Sequence, residues 1–340
     1  MTITFNEHTK RHRHKLTDRK DRSERYPTFY DKEDISGTIK IKLTSKTFEH
    51  KGIKIELKGT IERISKLKSK NDFISLTQDL CQGGILTENI TEYPFCFKQV
   101  QKKYESYKGD YAVVSYYIKV TIETKVRNIS YEKEFAVVNP NEESILKEND
   151  EPIKLGVGIK DLLKLSIDFK SRNCDCKGTL KGVITFNNVN LGLKYMEIQI
   201  MRREILIGAE NDCEPAFLAK FEIMDGGPIK NEKIPIRLFL KPYDLTPTYG
   251  NVDNKFFVKY FLNMVIVDSE EQRYFKQKEI VLFRVRKKKE SAIKEKEGWI
   301  TANLRDILNE ESDSESENEN KELDMNEVID DENENTINAS

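Results

Sequence analysis

The sequence predicts an all-β chain of two antiparallel β-sandwiches, and two observations carry that expectation. Apolar and polar residues alternate with period two along much of the 340-residue chain. Turn-forming clusters interrupt the alternation at short intervals. Ile39, Ile41 and Leu43 alternate with Lys40 and Lys42, and Ile53, Ile55 and Leu57 with Lys54 and Glu56. Val114, Tyr116, Ile118, Val120 and Ile122 form a longer stripe, followed by Leu163, Leu165, Ile167 and Phe169. Ile236, Leu238 and Leu240, then Val258, Tyr260, Leu262, Met264 and Ile266, repeat the pattern. Such strands bury one face and wet the other, which is the antiparallel signature. Breaks such as Lys108-Gly109-Asp110, Asn187-Asn188 and Pro242-Tyr243-Asp244 leave about thirteen strands, enough for two sandwiches.

The boundary between the sandwiches is expected between Asn139 and Lys154, where Pro140, Pro152 and many charges replace the periodicity. The expected organisation is a basic N-terminal strand or arm (1–25), a first sandwich (26–145), a linker (146–153), a second sandwich (154–286) and a tail (287–340). A short apolar strand is expected around Ile3 and Phe5. The polar, basic stretch His8 to Arg25 is expected to be a mobile arm or long loop. Phe73, Leu76 and Leu80 fall on one helical face, with Asn71 or Asp72 as cap, and predict one short helix. Ile300, Leu304, Ile307 and Leu308 predict a second after Gly298-Trp299. Beyond Glu310 the acidic, Ser/Asn-rich sequence predicts disorder.

The formal net charge of −1 hides an asymmetry. From Glu310 to Ser340 thirteen acids face the single Lys321, so the rest of the chain carries +11. A basic body suits anionic lipid or acidic partners. No apolar run reaches membrane-spanning length, and Met1 to Lys20 lack the apolar core of a secretory signal, so a cytosolic location is expected. Cys81, Cys96, Cys174, Cys176 and Cys213 are scattered and odd in number, which fits reduced thiols. In the tail, Ser312, Ser314 and Ser316 each precede an acid by three residues, the pattern favoured by acidophilic kinases.

The sequence holds no convergent catalytic constellation, and no cofactor is expected. His8, His12 and His14 are flanked by Lys10, Arg11, Arg13 and Lys15, which repel a cation. Cys174-Asp175-Cys176 has no second Cys/His pair at matching spacing. Gly156-Val157-Gly158 lacks the following Gly-Lys-Ser/Thr of a phosphate loop. The run Arg284, Arg286, Lys287, Lys288, Lys289 fits a solvated strand end or a lipid-facing patch. Without interleaved stacking aromatics it does not point to nucleic acid.

The ordered string Lys220-Phe-Glu-Ile-Met-Asp-Gly-Gly-Pro-Ile229, Ile234-Pro-Ile-Arg-Leu-Phe-Leu240, Tyr243-Asp-Leu-Thr-Pro-Thr248, Lys255-Phe256, Tyr260-Phe-Leu-Asn263 and Arg273-Tyr-Phe-Lys-Gln277 resembles the vacuolar protein sorting-associated protein 26 family, the small subunit of retromer. Phe29-Tyr-Asp31, Ser36-Gly37, Phe48-Glu49-His50, Gly52-Ile-Lys-Ile-Glu56, Tyr104-Glu-Ser-Tyr107 and Val157-Gly-Ile159 extend the resemblance over Tyr26 to Arg284.

The resemblance implies a bilobal arrestin-like fold without catalytic activity, acting on the cytosolic face of endosomes in retrograde sorting. It implies that the large helical-solenoid subunit docks at Ile223 and Met224, just before Asp225 and Gly226. It further implies that cytosolic tails of transmembrane cargo add as a strand beside Lys154 to Ile159, with a phox-homology sorting nexin completing a groove at Val157 and Phe275. Membrane association is then indirect. Asp31 matches one position used by some members for a PDZ-bearing partner, but the acidic edge near Glu142 departs from that pattern. The N-terminal arm and the sequence after Arg286 also depart from the family. The alternative is an arrestin-domain adaptor of a different endosomal sorting complex.

Overall fold

The structure, a computed structural model, describes residues 1–7, 10–65, 68–159, 162–209 and 213–286. These residues form twenty strands and one short 3₁₀ turn, arranged in four sheets. In the first half, β1 (Thr2–Phe5), β4 (Ile35–Lys42) and β7 (Ile90–Phe97) make a sheet in the order β1-β4-β7. The second sheet runs β2 (Arg13–Thr17), β3 (Ser23–Phe29), β10 (Ile129–Val137), β9 (Ala112–Glu123), β5 (Phe48–Arg63) and β6 (Ser69–Leu86), with β8 (Tyr107–Lys108) also on β9. The alternating residues read from the sequence supply the inner faces. Ile39, Ile55, Leu57, Val114, Tyr116, Ile118 and Val120 are all fully buried. Phe5, Phe29 and Phe135 meet edge to face with centroids 5.1–5.8 Å apart, the geometry aromatic quadrupoles favour.

The second half repeats the plan. β11 (Ile153–Ile159), β12 (Leu163–Phe169), β14 (Thr179–Val189) and β17 (Lys233–Phe239) form a sheet in that order. The other sheet runs β13 (Asn173–Asp175), β20 (Arg273–Phe283), β19 (Phe256–Asp268), β15 (Leu193–Leu206) and β16 (Ala216–Asp225), with β18 (Tyr249–Val252) on β19. Between the halves stands a 3₁₀ turn, Glu143–Leu146. This is an all-β fold of two sandwiches, as the alternation predicts.

The described residues form twenty strands, more than the roughly thirteen expected, and two local expectations also need correcting. Residues 69–86 are not helical; they form the edge strand β6, paired along its length with β5. Register shifts leave Phe73 and Leu80 as the extra residues of two bulges, opposite Gly59/Thr60 and Ile53/Lys54. A bulge turns its extra residue out of the strict alternation. Two bulges seven residues apart thus bring Phe73 and Leu80 against the core and imitate helical spacing. Phe73 lies over Gly59, whose missing Cβ leaves room for the ring, and contacts Tyr104 and Tyr116 edge-on.

The basic stretch to Arg25 is likewise not a loose arm. Arg13–Thr17 and Ser23–Phe29 pair as a hairpin whose turn is closed by Asp18. The Asp18 carboxylate accepts from the Lys20 and Arg22 amides and from the Arg22 guanidinium. Leu16 is buried, and Arg11 lies over the Phe29 ring at 4.0 Å. The second helix, the disorder and the three serines expected within residues 287–340 lie outside the described residues, as does His8.

Buried polar groups join the sandwiches. Tyr107 of the first is fully buried against Tyr249 and Phe256 of the second. Glu204, 3% exposed, accepts the amide hydrogens of Asp110, Tyr111 and Ala112 at 2.8–2.9 Å and pairs with Arg202 at 3.2 Å. Those donors sit in the β8–β9 turn, where Gly109 passes so close that a Cβ would land on the Glu204 carboxylate. Gly109→Ala is therefore expected to push Glu204 off its donors and cost about 2 kcal/mol or more, read as a lower chemical-denaturation midpoint at unchanged slope. An unchanged midpoint would show that the carboxylate shifts freely.

Candidate functional site

The sequence-derived candidates fall at two places in the second sandwich: Ile223 to Gly226 at the end of β16 in the six-stranded sheet, and Val157 on β11 of the four-stranded sheet with Phe275 on β20 of the six-stranded one. Ile223, Met224 and Asp225 end β16, which among the described residues is an edge strand paired with β15 alone. In a regular strand Ile223 and Met224 would point to opposite faces. Here Met196 pairs with Met224 and Glu197 with Glu222, so Ile223 is the extra residue of a bulge. Both apolar side chains are in consequence half-buried and packed against the core, and neither projects freely. Asp225 is exposed. Gly226 then takes a positive φ of 97°, which glycine adopts without strain, and its amide donates to the Lys194 carbonyl. The most exposed apolar residue of this loop is Ile229, at 72%. It follows Pro228 within a turn, and that unusual placing of a β-branched residue was its signal in the sequence.

Val157 lies on β11, which among the described residues is an edge of the four-stranded sheet paired with β12 alone. Gly156 and Gly158 flank it on a regular strand, not on a loop. Val157 is half-buried and touches the core. Phe275 lies on β20, opposite Val265, and is 60% exposed. A core role for Phe275 is thereby set aside. β13 pairs with β20 only at Val281–Phe283, so in the described sheet the stretch around Phe275 is paired on the β19 side alone. β11 and β20 approach one another.

Other candidates are absorbed by structure. Arg284 is not part of a solvated basic run: its Nε donates to Glu105 at 2.5 Å, with side chains 13% and 7% exposed. Lys287, Lys288 and Lys289 lie outside the described residues. Burial pushes the Cys174 and Cys176 thiols up to about 12, so both stay protonated and unsuited to metal or nucleophilic chemistry. Burial, with Arg284 and Lys177 nearby, lowers His14 to about 4, so it is neutral at pH 7. Among the described residues no three His, Cys, Asp or Glu side chains gather as metal ligands. The Asp31 carboxylate accepts the Lys102 amide at 2.7 Å. No helix among the described residues is long and apolar enough to cross a membrane.

Two fused β-sandwiches of mostly antiparallel strands define an all-β, arrestin-like fold. The family model of vacuolar protein sorting-associated protein 26 matches residues 1–271, and the chain belongs to that family. The match begins at residue 1, so the basic N-terminal segment is covered by the family model. The chain is 40% identical over 259 residues to vacuolar protein sorting-associated protein 26 of Caenorhabditis elegans, covering 75% of this chain and 72% of the relative. It is 39% identical over 285 residues to the human 26B protein, 82% of each, and 38% identical over 291 residues to the 26B-B protein of Xenopus laevis, 84% and 83%. Its role is thus in vacuolar and endosomal protein sorting, in transport of the retromer type.

Proposed function

We propose that this chain is the non-enzymatic scaffold and cargo-selection subunit of a retromer coat, working at the cytosolic face of endosomes. Residues 26–145 and 154–286 act as its two lobes. The large helical-solenoid subunit docks at the β16 edge through Ile223 and Met224, with Asp225 and Gly226 shaping the turn and Ile229 adding exposed apolar area. Cargo tails add as a strand to β11, a phox-homology sorting nexin completing the groove, and Val157 and Phe275 read one apolar side chain of the tail. The observation that carries this reading is that β11, paired with β12 alone among the described residues, approaches β20, the strand that carries the exposed Phe275.

Phe275→Asp tests it. The ring is 60% exposed, so the variant is expected to keep its melting temperature. Capture of a cargo-tail peptide with the sorting nexin present is expected to fall at least about a hundredfold, with binding to the large subunit unchanged. Undiminished capture by the folded variant would overturn the groove assignment. An adaptor of another endosomal complex is the competing reading. Isolation from lysate of a stoichiometric partner other than a helical-repeat solenoid would favour it.

A further inference from the structure

The outward residues of the sheet β11-β12-β14-β17 follow from its register. Lys154 pairs with Asp168, Asp168 with Val183, and Val183 with Pro235. One row away Gly156, Ser166, Thr185 and Lys233 line up, and beyond them Gly158, Lys164 and Asn188. On the other side Lys181 stands directly opposite Arg237, with exposed Lys170 hydrogen-bonded to the Lys181 carbonyl. The inner faces of the same strands carry Leu155, Ile167, Ile184, Ile236 and Leu238, all buried. Lys154, Lys164, Lys170, Lys181, Lys233 and Arg237 are exposed on one side of the sheet. None of them has an ion-pair partner among the described residues, and Asp168 is the one acid in these rows.

Two cations directly opposite on adjacent strands repel, so the Lys181–Arg237 pair costs stability unless something anionic covers it. Lys40 and Lys119, in the first sandwich, each face an acid across the strands and are matched by it, Lys40 by Glu92 and Lys119 by Glu132. On this face Lys181 instead meets Arg237 across the strands, and six exposed cations share the rows with the single acid Asp168. The shape of the face decides the partner. Four strands about 4.8 Å apart make a broad surface, not a groove. Gly156, Gly158, Ser166 and Thr185 keep it low between the cations. Val183 and Phe239, 38% and 58% exposed, put apolar groups among the charges. A nucleic-acid surface would need stacking aromatics, and Phe239 stands alone. Cations spread over a broad face, with an aromatic at the rim, suit an anionic bilayer surface.

We propose that this outer sheet face docks directly on anionic phospholipid, placing the second sandwich against the membrane. The inference goes beyond the sorting role and needs neither the solenoid nor the cargo assignment.

Co-sedimentation of the full chain with phosphatidylcholine vesicles, with and without phosphatidylserine, tests it. Binding is expected only with phosphatidylserine and is expected to weaken with salt. Reversing Lys164, Lys181, Lys233 and Arg237 together to Glu is expected to weaken it at least about a hundredfold. The same charge change placed on the first sandwich, at exposed Lys46, Lys51, Lys98 and Lys103, is expected to leave most of it. Lys181→Glu alone is expected to weaken vesicle binding about fivefold without lowering the melting temperature, because it turns the repelling pair into an attracting one. No phosphatidylserine dependence would overturn the proposal. So would equal losses in the two fourfold variants, or a face variant that loses binding to duplex DNA or polyglutamate while its vesicle binding is untouched.

Discussion

Ile223→Asp combined with Met224→Asn is expected to weaken binding of the large solenoid subunit about a thousandfold, close to 4 kcal/mol, in calorimetry against the amino-terminal part of that partner. The two residues sit at the open β16 edge, where a partner can cover what the bulge leaves half-exposed. A few buried apolar anchors supply most of the affinity of such a contact, and a charge in their place is stranded when water is excluded. The bulge also makes the double variant less stable, because both side chains touch the core. A loss of about 1–3 kcal/mol of stability is expected beside the loss of affinity. Ile229→Asp separates the two effects. At 72% exposure Ile229 contributes little to folding, so its replacement is expected to keep the melting temperature and lower affinity about tenfold. Undiminished affinity in both folded variants would sink the docking assignment.

Arg284→Met is expected to destabilise the protein by about 3–5 kcal/mol, because it leaves the Glu105 carboxylate buried without its cation. The pair joins the loop before β8 in the first sandwich to the end of β20 in the second. Burial raises the Glu105 pKa, and Arg284 only partly offsets that rise. For a carboxyl whose folded pKa lies above its unfolded one, the folded state holds the proton more tightly. Its contribution is complete below the unfolded pKa and is lost as pH rises through the folded value. Without Arg284 the upward shift grows, so the stability deficit of Arg284→Met is expected to be larger at about pH 7 than at about pH 5. The double variant Glu105→Gln, Arg284→Met removes the stranded charge and is expected to regain most of the loss. Chemical denaturation of the three proteins at both pH values measures this. A double variant as unstable as Arg284→Met would show that packing of the guanidinium, not charge, supplies the stability.

The strands that alternate cleanly were legible because burial on a sheet has period two and depends on neighbours one residue apart. Ile39, Ile41 and Leu57, and later Leu165 and Ile167, face inward as their spacing demands. The segment around Phe73 misled because bulges break that period, and a bulge belongs to the pairing of two distant strands. The same limit applied at Ile223, whose half-burial depends on how β15 meets β16. Arg284 read as one cation in a basic run until Glu105, distant in sequence, was placed beside it.

By itself the sequence determined the all-β class, the two inner faces and the family resemblance, since these rest on local alternation and ordered motifs. Only the tertiary structure decided which strands are edges, where bulges fall and which charges are matched. Those properties are set by register between residues far apart in the chain. An edge or an unpaired lysine exists only relative to the strand that does or does not lie next to it.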